Sequence, residues 1–175
     1  SVKLHESLVM ICCKRLIASE VAEIHLWVDT QLDHPLFLSC VDSGVSSVKL
    51  QHGSNLGEKM FDCFTHTLRD HESVVLVGSD CPAIDDRYLR DAFQALESAP
   101  LVFGPAFDGG YVLLGATEVR TELFDNIGWG GSDVLTNSLR AAKRLGLGVS
   151  LLEALHDIDR PSDLEHYPEH DLIRH

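Results

Sequence analysis

Four consecutive residues, Val74-Val75-Leu76-Val77, are apolar on every side chain and run straight into Gly78-Ser79-Asp80-Cys81-Pro82. Successive side chains of a strand point to opposite faces, so a run with no polar position needs apolar cover on both sides. A largely parallel sheet with helices on each face supplies that cover. The rest of the chain predicts the helices. Leu4, Leu8, Val9, Cys12, Cys13, Leu16 and Ile17 recur at three- and four-residue intervals, which predicts an amphipathic opening helix. A strand is expected at 23–28. Residues 31–46 carry Pro35, Gly44 and a scatter of serines and aspartates and read as a long loop, with a short strand near 48–51. Helices are expected with Leu56, Met60, Phe61, Phe64 and Leu68 inward, and with Tyr88, Leu89, Ala92, Phe93 and Leu96 inward. Strands 101–103 and 111–114 flank a Gly-rich bend, and a short helix is expected near 118–124. Val134, Leu135, Leu139, Ala142 and Leu145 share a face of a later helix, which Ser132 or Asp133 can cap and Gly146 can end. A strand at 149–152 and a short helix starting at Pro161 close the chain.

The chain has 175 residues, 45% of them apolar, enough for one core and one domain spanning 1–175. Fourteen Lys and Arg against 27 Asp and Glu leave a formal charge of −13, which repels nucleic acid and anionic lipid at long range. No nucleic-acid or membrane partner is expected, and a phosphorylated substrate needs a local cation or an amide nest. The longest apolar runs fall short of the roughly 18–20 residues that span a bilayer. Glu6 ahead of the first run and Lys14-Arg15 behind it do not fit a signal peptide, so a cytoplasmic protein is expected. Five cysteines, an odd number with no C-x-x-C pair, read as reduced and mostly buried thiols rather than a zinc site.

Ligands of open α/β sheets bind beyond the carboxyl ends of the strands. Three acidic segments fall there. Asp80 either holds a hard divalent ion or caps its own turn. Asp108-Gly109-Gly110 either offers a carboxylate with two close-approach backbone positions or makes a hairpin turn. Asp157-Ile158-Asp159 precedes the closing helix, whose positive N-terminal end Asp163 could favour. Magnesium and manganese bind through one or two carboxylates plus substrate phosphate oxygens, so a metal-bridged nucleotide is the implied ligand. Trp129 could stack on a base or sugar, or cover the edge of the core. His66, His71 and the other histidines read as surface residues, and Cys81 as a buried turn thiol.

Asn55-Leu56-Gly57-Glu58-Lys59-Met60, Gly78-Ser79-Asp80-Cys81-Pro82, Gly104-Pro105 with Asp108-Gly109-Gly110-Tyr111, Trp129, and Asp157-Ile158-Asp159 with Asp163-Leu164 occur in the order and spacing of one family. On these motifs, from about Leu4 to Tyr167, the chain resembles bacterial nucleotide-diphospho-sugar transferase-like proteins of the glycosyltransferase-A superfamily. These are related to molybdenum-cofactor and phospholactate nucleotidyltransferases. The resemblance implies a mixed, mostly parallel sheet flanked by helices on both faces. It implies a metal, Mg²⁺ or Mn²⁺, on Asp80 and Asp159, with Asp80 and Asp108 catalytic. Gly78, Ser79, Gly109, Gly110 and Trp129 would then contact a nucleotide or nucleotide sugar, Asp108-Gly109-Gly110 facing the sugar or acceptor.

Members of that family open with a strand and a basic Gly-rich loop ending in Lys-Thr-Arg-Leu, whereas this sequence opens with a helix. The resemblance therefore implies a sheet lacking its usual first strand. Arg160 and Ser162 stand where Thr and Glu are usual. Two functions remain open: a metal-dependent glycosyl- or nucleotidyltransferase, and an inactive binding or assembly module that has lost its nucleotide loop. A homodimer is expected to cover the gap in the sheet.

Overall fold

Side-chain caps set where several helices begin. Asn55 accepts from the amide of Glu58 at 3.0 Å, and Glu58 reaches back to the amide of Ser54, one residue before the cap, at 2.7 Å, a variant of the capping box. Asp85 accepts from the amide of Tyr88 at 2.8 Å. Removing the first cap in Asn55→Ala is expected to lower stability by about 1 kcal/mol, measured by denaturant titration. The structure, a computed structural model, describes residues 2–29 and 31–157. In order it has α1 (Val2–Ser19), β1 (His25–Val28), α2 (Pro35–Asp42), β2 (Ser47–Leu50), α3 (Leu56–Thr67), β3 (Val74–Val77), α4 (Asp86–Leu96), β4 (Leu101–Pro105), β5 (Tyr111–Ala116), α5 (Val134–Arg144) and β6 (Val149–Leu151).

Two local expectations are corrected. Residues 31–46 contain a helix rather than a long loop. Pro35 opens α2, where a missing N–H is harmless, and His34 Nδ1 caps it by accepting from the Leu36 amide at 3.3 Å. Phe37 and Cys40 give it a buried face. The helix expected near 118–124 is one 3-10 turn, Thr121–Leu123. The helix expected from Pro161 lies outside the described residues. No helix of the described residues is long and apolar enough to cross a membrane.

β1 and β2 pair in parallel as a two-stranded sheet, and a four-stranded sheet has the order β3-β5-β4-β6. β5 runs antiparallel to both its neighbours while β4 and β6 are parallel, so three of these four strands share one direction. Alternation along β4 separates two apolar layers. Leu101 and Phe103 pack with Met60, Phe64, Leu114, Ala141 and Ala142 beneath α3 and α5. Val102 packs with Leu89, Ala92, Leu96 and Leu113 beneath α4, which places helices on both faces. A third cluster, Val9, Cys13, Cys40 and Val45, joins α1 to α2.

Among the described residues, β1 has no partner on its side away from β2, and β3 has none on its side away from β5. Both strands line one cavity of about 800 Å³, walled by Val9, Cys12, Cys13 and Leu16 of α1 and by Met60 and Cys63 of α3. A strand in a packed sheet fills roughly 160 Å³ per residue, taking about 3.3 Å of rise, 4.8 Å between strands and 10 Å between layers. The cavity thus has the volume of one strand about five residues long, flanked by two four-residue strands. Among the described residues this is the sheet without its first strand that the resemblance implied, and there Val74–Val77 forms an edge where the apolar run alone predicts a centre.

Candidate functional site

The carboxyl ends of β1 and β3 open onto the cavity, and Asp29, Lys59, Ser79 and Asp80 line it there. Gly78 follows β3 and donates its amide to the Val112 carbonyl at 3.0 Å, which anchors the turn to β5. The carboxylate of Asp80 folds back over Gly78: a Cβ on Gly78 would meet Asp80 Oδ1 at 2.4 Å. Glycine leaves room for the carboxylate there, and a larger residue would turn the Asp80 side chain aside. The turn is also held from outside, since Cys12 Sγ donates to the Ser79 carbonyl at 3.4 Å and the Arg15 guanidinium donates to the Pro82 carbonyl. Cys81 is buried and donates to the His156 carbonyl at 3.3 Å, so the segment after β6 starts beside the Asp80 turn.

The electrostatics of this rim are anionic. Burial pushes the Cys12 thiol up to about 12, with smaller contributions in the same direction from Cys81 and Asp80. Lys59 is the only Lys or Arg among the described residues lining the cavity. Its ammonium lies 3.8 Å from Asp29 Oδ2. The sequence motif that contains Lys59 assigns it no role; its position in the first turn of a capped helix after β2 is the signal that marks it.

The Asp108 loop is built separately. Asp108 Oδ1 accepts from the Gly110 amide at 2.8 Å, the turn geometry that the Asp-Gly signal favours. Gly109 has φ +96° and lies against Ser132 ahead of α5. Its carbonyl accepts from the Leu135 amide at 3.0 Å. Exposed Phe107 stacks on His156 at 4.2 Å, so the Asp108 loop and the Asp80 turn both touch the segment ending at Asp157. Asp108, Gly109, Gly110 and Trp129 do not line the cavity, whereas Gly78, Ser79 and Asp80 do. Trp129 covers Gly57 of α3, where an added Cβ would meet Trp129 Cζ2 at 2.7 Å. Asp159 lies outside the described residues.

A family model described as "Uncharacterized protein conserved in bacteria (DUF2064)" matches residues 12–131, which include the Asp80 turn and the Asp108 loop. The chain belongs to the DUF2064 family. This DUF2064 chain also resembles solved structures. One is a candidate nucleotide-diphospho-sugar transferase from Desulfovibrio desulfuricans G20, at 29% identity and a TM-score of 0.80, over 93% of this chain and 71% of that one. Another is CMP:2-keto-3-deoxy-manno-octonic acid synthetase complexed with CTP, at 12% identity and a TM-score of 0.51, over 90% of this chain and 85% of that one. The latter likeness shows the fold alone. No curated protein matches the sequence. The DUF2064 chain thus has the nucleotide-diphospho-sugar transferase-like fold that its motifs imply.

Proposed function

We propose that the protein is a metal-dependent transferase acting on a nucleotide, either a nucleotide sugar or a nucleoside triphosphate. The observation that carries this reading is the Asp80 turn: a carboxylate anchored over a glycine at the carboxyl end of β3, on the rim of a strand-sized cavity that also carries Lys59. A carboxylate oxygen at such a rim fits Mg²⁺ or Mn²⁺, which complete their shells with water and phosphate oxygens. Asp159 is the second ligand in this proposal. When bound, the metal neutralises charge on the departing nucleoside diphosphate of a glycosyl transfer, or on the α-phosphate and leaving pyrophosphate of a nucleotidyl transfer.

The chain's own residues have distinct tasks in this scheme. Asp80 holds the cation, Gly78 and Ser79 let phosphate approach the backbone, and Lys59 adds a positive side chain lining the cavity. Asp108, fixed by its bond to the Gly110 amide, takes the proton of an acceptor hydroxyl, with Gly109, Gly110 and Trp129 toward the sugar or base. A second copy covers the open edges of β1 and β3 in a homodimer, since unpaired strand amides invite association. A one-chain mass by light scattering, unchanged on dilution, would count against the dimer. All five cysteines are buried thiols outside any disulfide, in keeping with a cytoplasmic protein.

The test is a thermal-stability scan with Mn²⁺ and a panel of nucleoside triphosphates and nucleotide sugars. A ligand at about one hundred times its dissociation constant adds roughly 2.7 kcal/mol to the native state. Asp80→Ala is expected to remove the metal-dependent part of that shift. A shift that survives the substitution unchanged would take Asp80 out of the metal role. No shift across the whole panel would favour the inactive binding or assembly module.

A further inference from the structure

At the opposite rim, where β1 and β3 begin, the chain brings together three side chains that the transferase scheme does not use. Glu23 precedes β1, His25 is its first residue, and His71 lies in the connection between α3 and β3. One donor atom from each lies within 4.8 Å of the other two. We propose that Glu23, His25 and His71 form a zinc site that clips β1 to the segment leading into β3.

The geometry within the cluster fits tetrahedral zinc. Ligand atoms at about 2.0–2.1 Å from a tetrahedral ion stand about 3.3–3.4 Å from one another. His25 Nε2 and Glu23 Oε1 are already 3.5 Å apart. The rings of His25 and His71 are 6.1 Å apart between centroids and tilted by 56° rather than stacked. His71 is exposed, so its donor, already within 4.8 Å of the other two, has freedom to turn toward ligand separation.

His25 supplies the strongest argument. Its Nε2 is buried and makes no hydrogen bond, its contact with Glu23 Oε1 at 3.5 Å being an ion pair only when the ring is protonated. Its other nitrogen, Nδ1, lies 2.6 Å from Ser47 Oγ on the neighbouring strand β2. With the Nδ1 proton donated to that hydroxyl, Nε2 carries the lone pair and faces Glu23. A ligating histidine oriented through its second nitrogen is the usual support of a metal site. Two imidazoles and one carboxylate form a donor set that zinc favours among available divalent ions, leaving a fourth position for water. The position of the site explains what an ion would do there. β1 and β3 share no hydrogen bonds across the cavity, and a shared ion would join their starting ends directly.

The experiment uses the untagged full chain, stripped with chelator and titrated with Zn²⁺ by calorimetry, and with Co²⁺ by visible absorption. One ion per chain is expected, with tetrahedral cobalt bands and a higher melting midpoint in zinc. His25→Ala and His71→Ala should each abolish the stoichiometric site, and Ser47→Ala should weaken it by about 10–100-fold. His71 is exposed, so its variant keeps the test independent of folding. Absence of stoichiometric zinc binding would overturn the proposal, as would binding that survives both histidine substitutions. Neither result bears on the nucleotide scan, which probes the other rim.

Discussion

Gly109→Ala is expected to be the most damaging alanine substitution among the described glycines, lowering stability by about 4 kcal/mol or more. A Cβ there would sit 1.9 Å from the Ser132 carbonyl oxygen and 2.7 Å from its carbon, both backbone atoms that cannot rotate away. The residue also has φ +96°, outside the range L side chains favour. Nor can the loop retreat, because the Gly109 amide donates to Ala106 and its carbonyl accepts from Leu135 in the first turn of α5. Gly130 is the control. It too has positive φ, +83°, but nothing lies within 4 Å of an added Cβ, so its alanine variant bears only a conformational cost of about 1–2 kcal/mol. Denaturant midpoints of the two variants, compared with the parent, decide the matter. Equal losses would mean that contact with Ser132 is not what demands glycine.

A second large effect is expected at high pH. Burial pushes the thiols of Cys12, Cys13 and Cys63 from the ordinary 9.0 to about 12. The native chain therefore keeps these protons between pH 9 and 12, while the unfolded chain releases them. Stability is fully present below pH 9 and falls as pH rises through that window. Each thiol contributes a slope of about 1.4 kcal/mol per pH unit, so the three together give about 4 kcal/mol per unit. A domain with about 10 kcal/mol of stability would lose it within about two to three units. Circular dichroism during an alkaline titration, followed alongside thiolate absorbance, should show both changing in one step. Thiols that titrate near pH 9 while the fold persists would refute the assignment.

What could be read in the sequence followed from local rules, and what could not depended on distant contacts. The capping box at Asn55 and Glu58, the cap at Asp85 and the turn at Asp108 involve residues a few positions apart, and their composition announces them. That Asp80 follows a strand and lies at the rim of the cavity could be read because loops after strand ends gather there in α/β sheets. Pro35 misled, since a proline amid polar residues signals a loop unless the first-turn position of a helix is recognised. Trp129 against Gly57 and the trio of Glu23, His25 and His71 unite segments far apart in sequence, and no periodicity encodes them. The Val74–Val77 run packs toward both apolar layers with only Val74 fully buried, because a run of apolar residues carries no record of whether its neighbouring strand is present.

The interrupted sheet also bears on how the chain opens. β1, α2 and β2 join the remainder through side chains of α1 and α3 rather than through a continuous backbone ladder, and their buried cluster is distinct from those around β4 and β5. Free-energy barriers to local opening should therefore be lower in this block, and its amide protons should exchange with deuterium together, ahead of those of the β4–β5 pair. The fold then behaves as two cooperative units of unequal persistence, joined along the line where the ladder is broken.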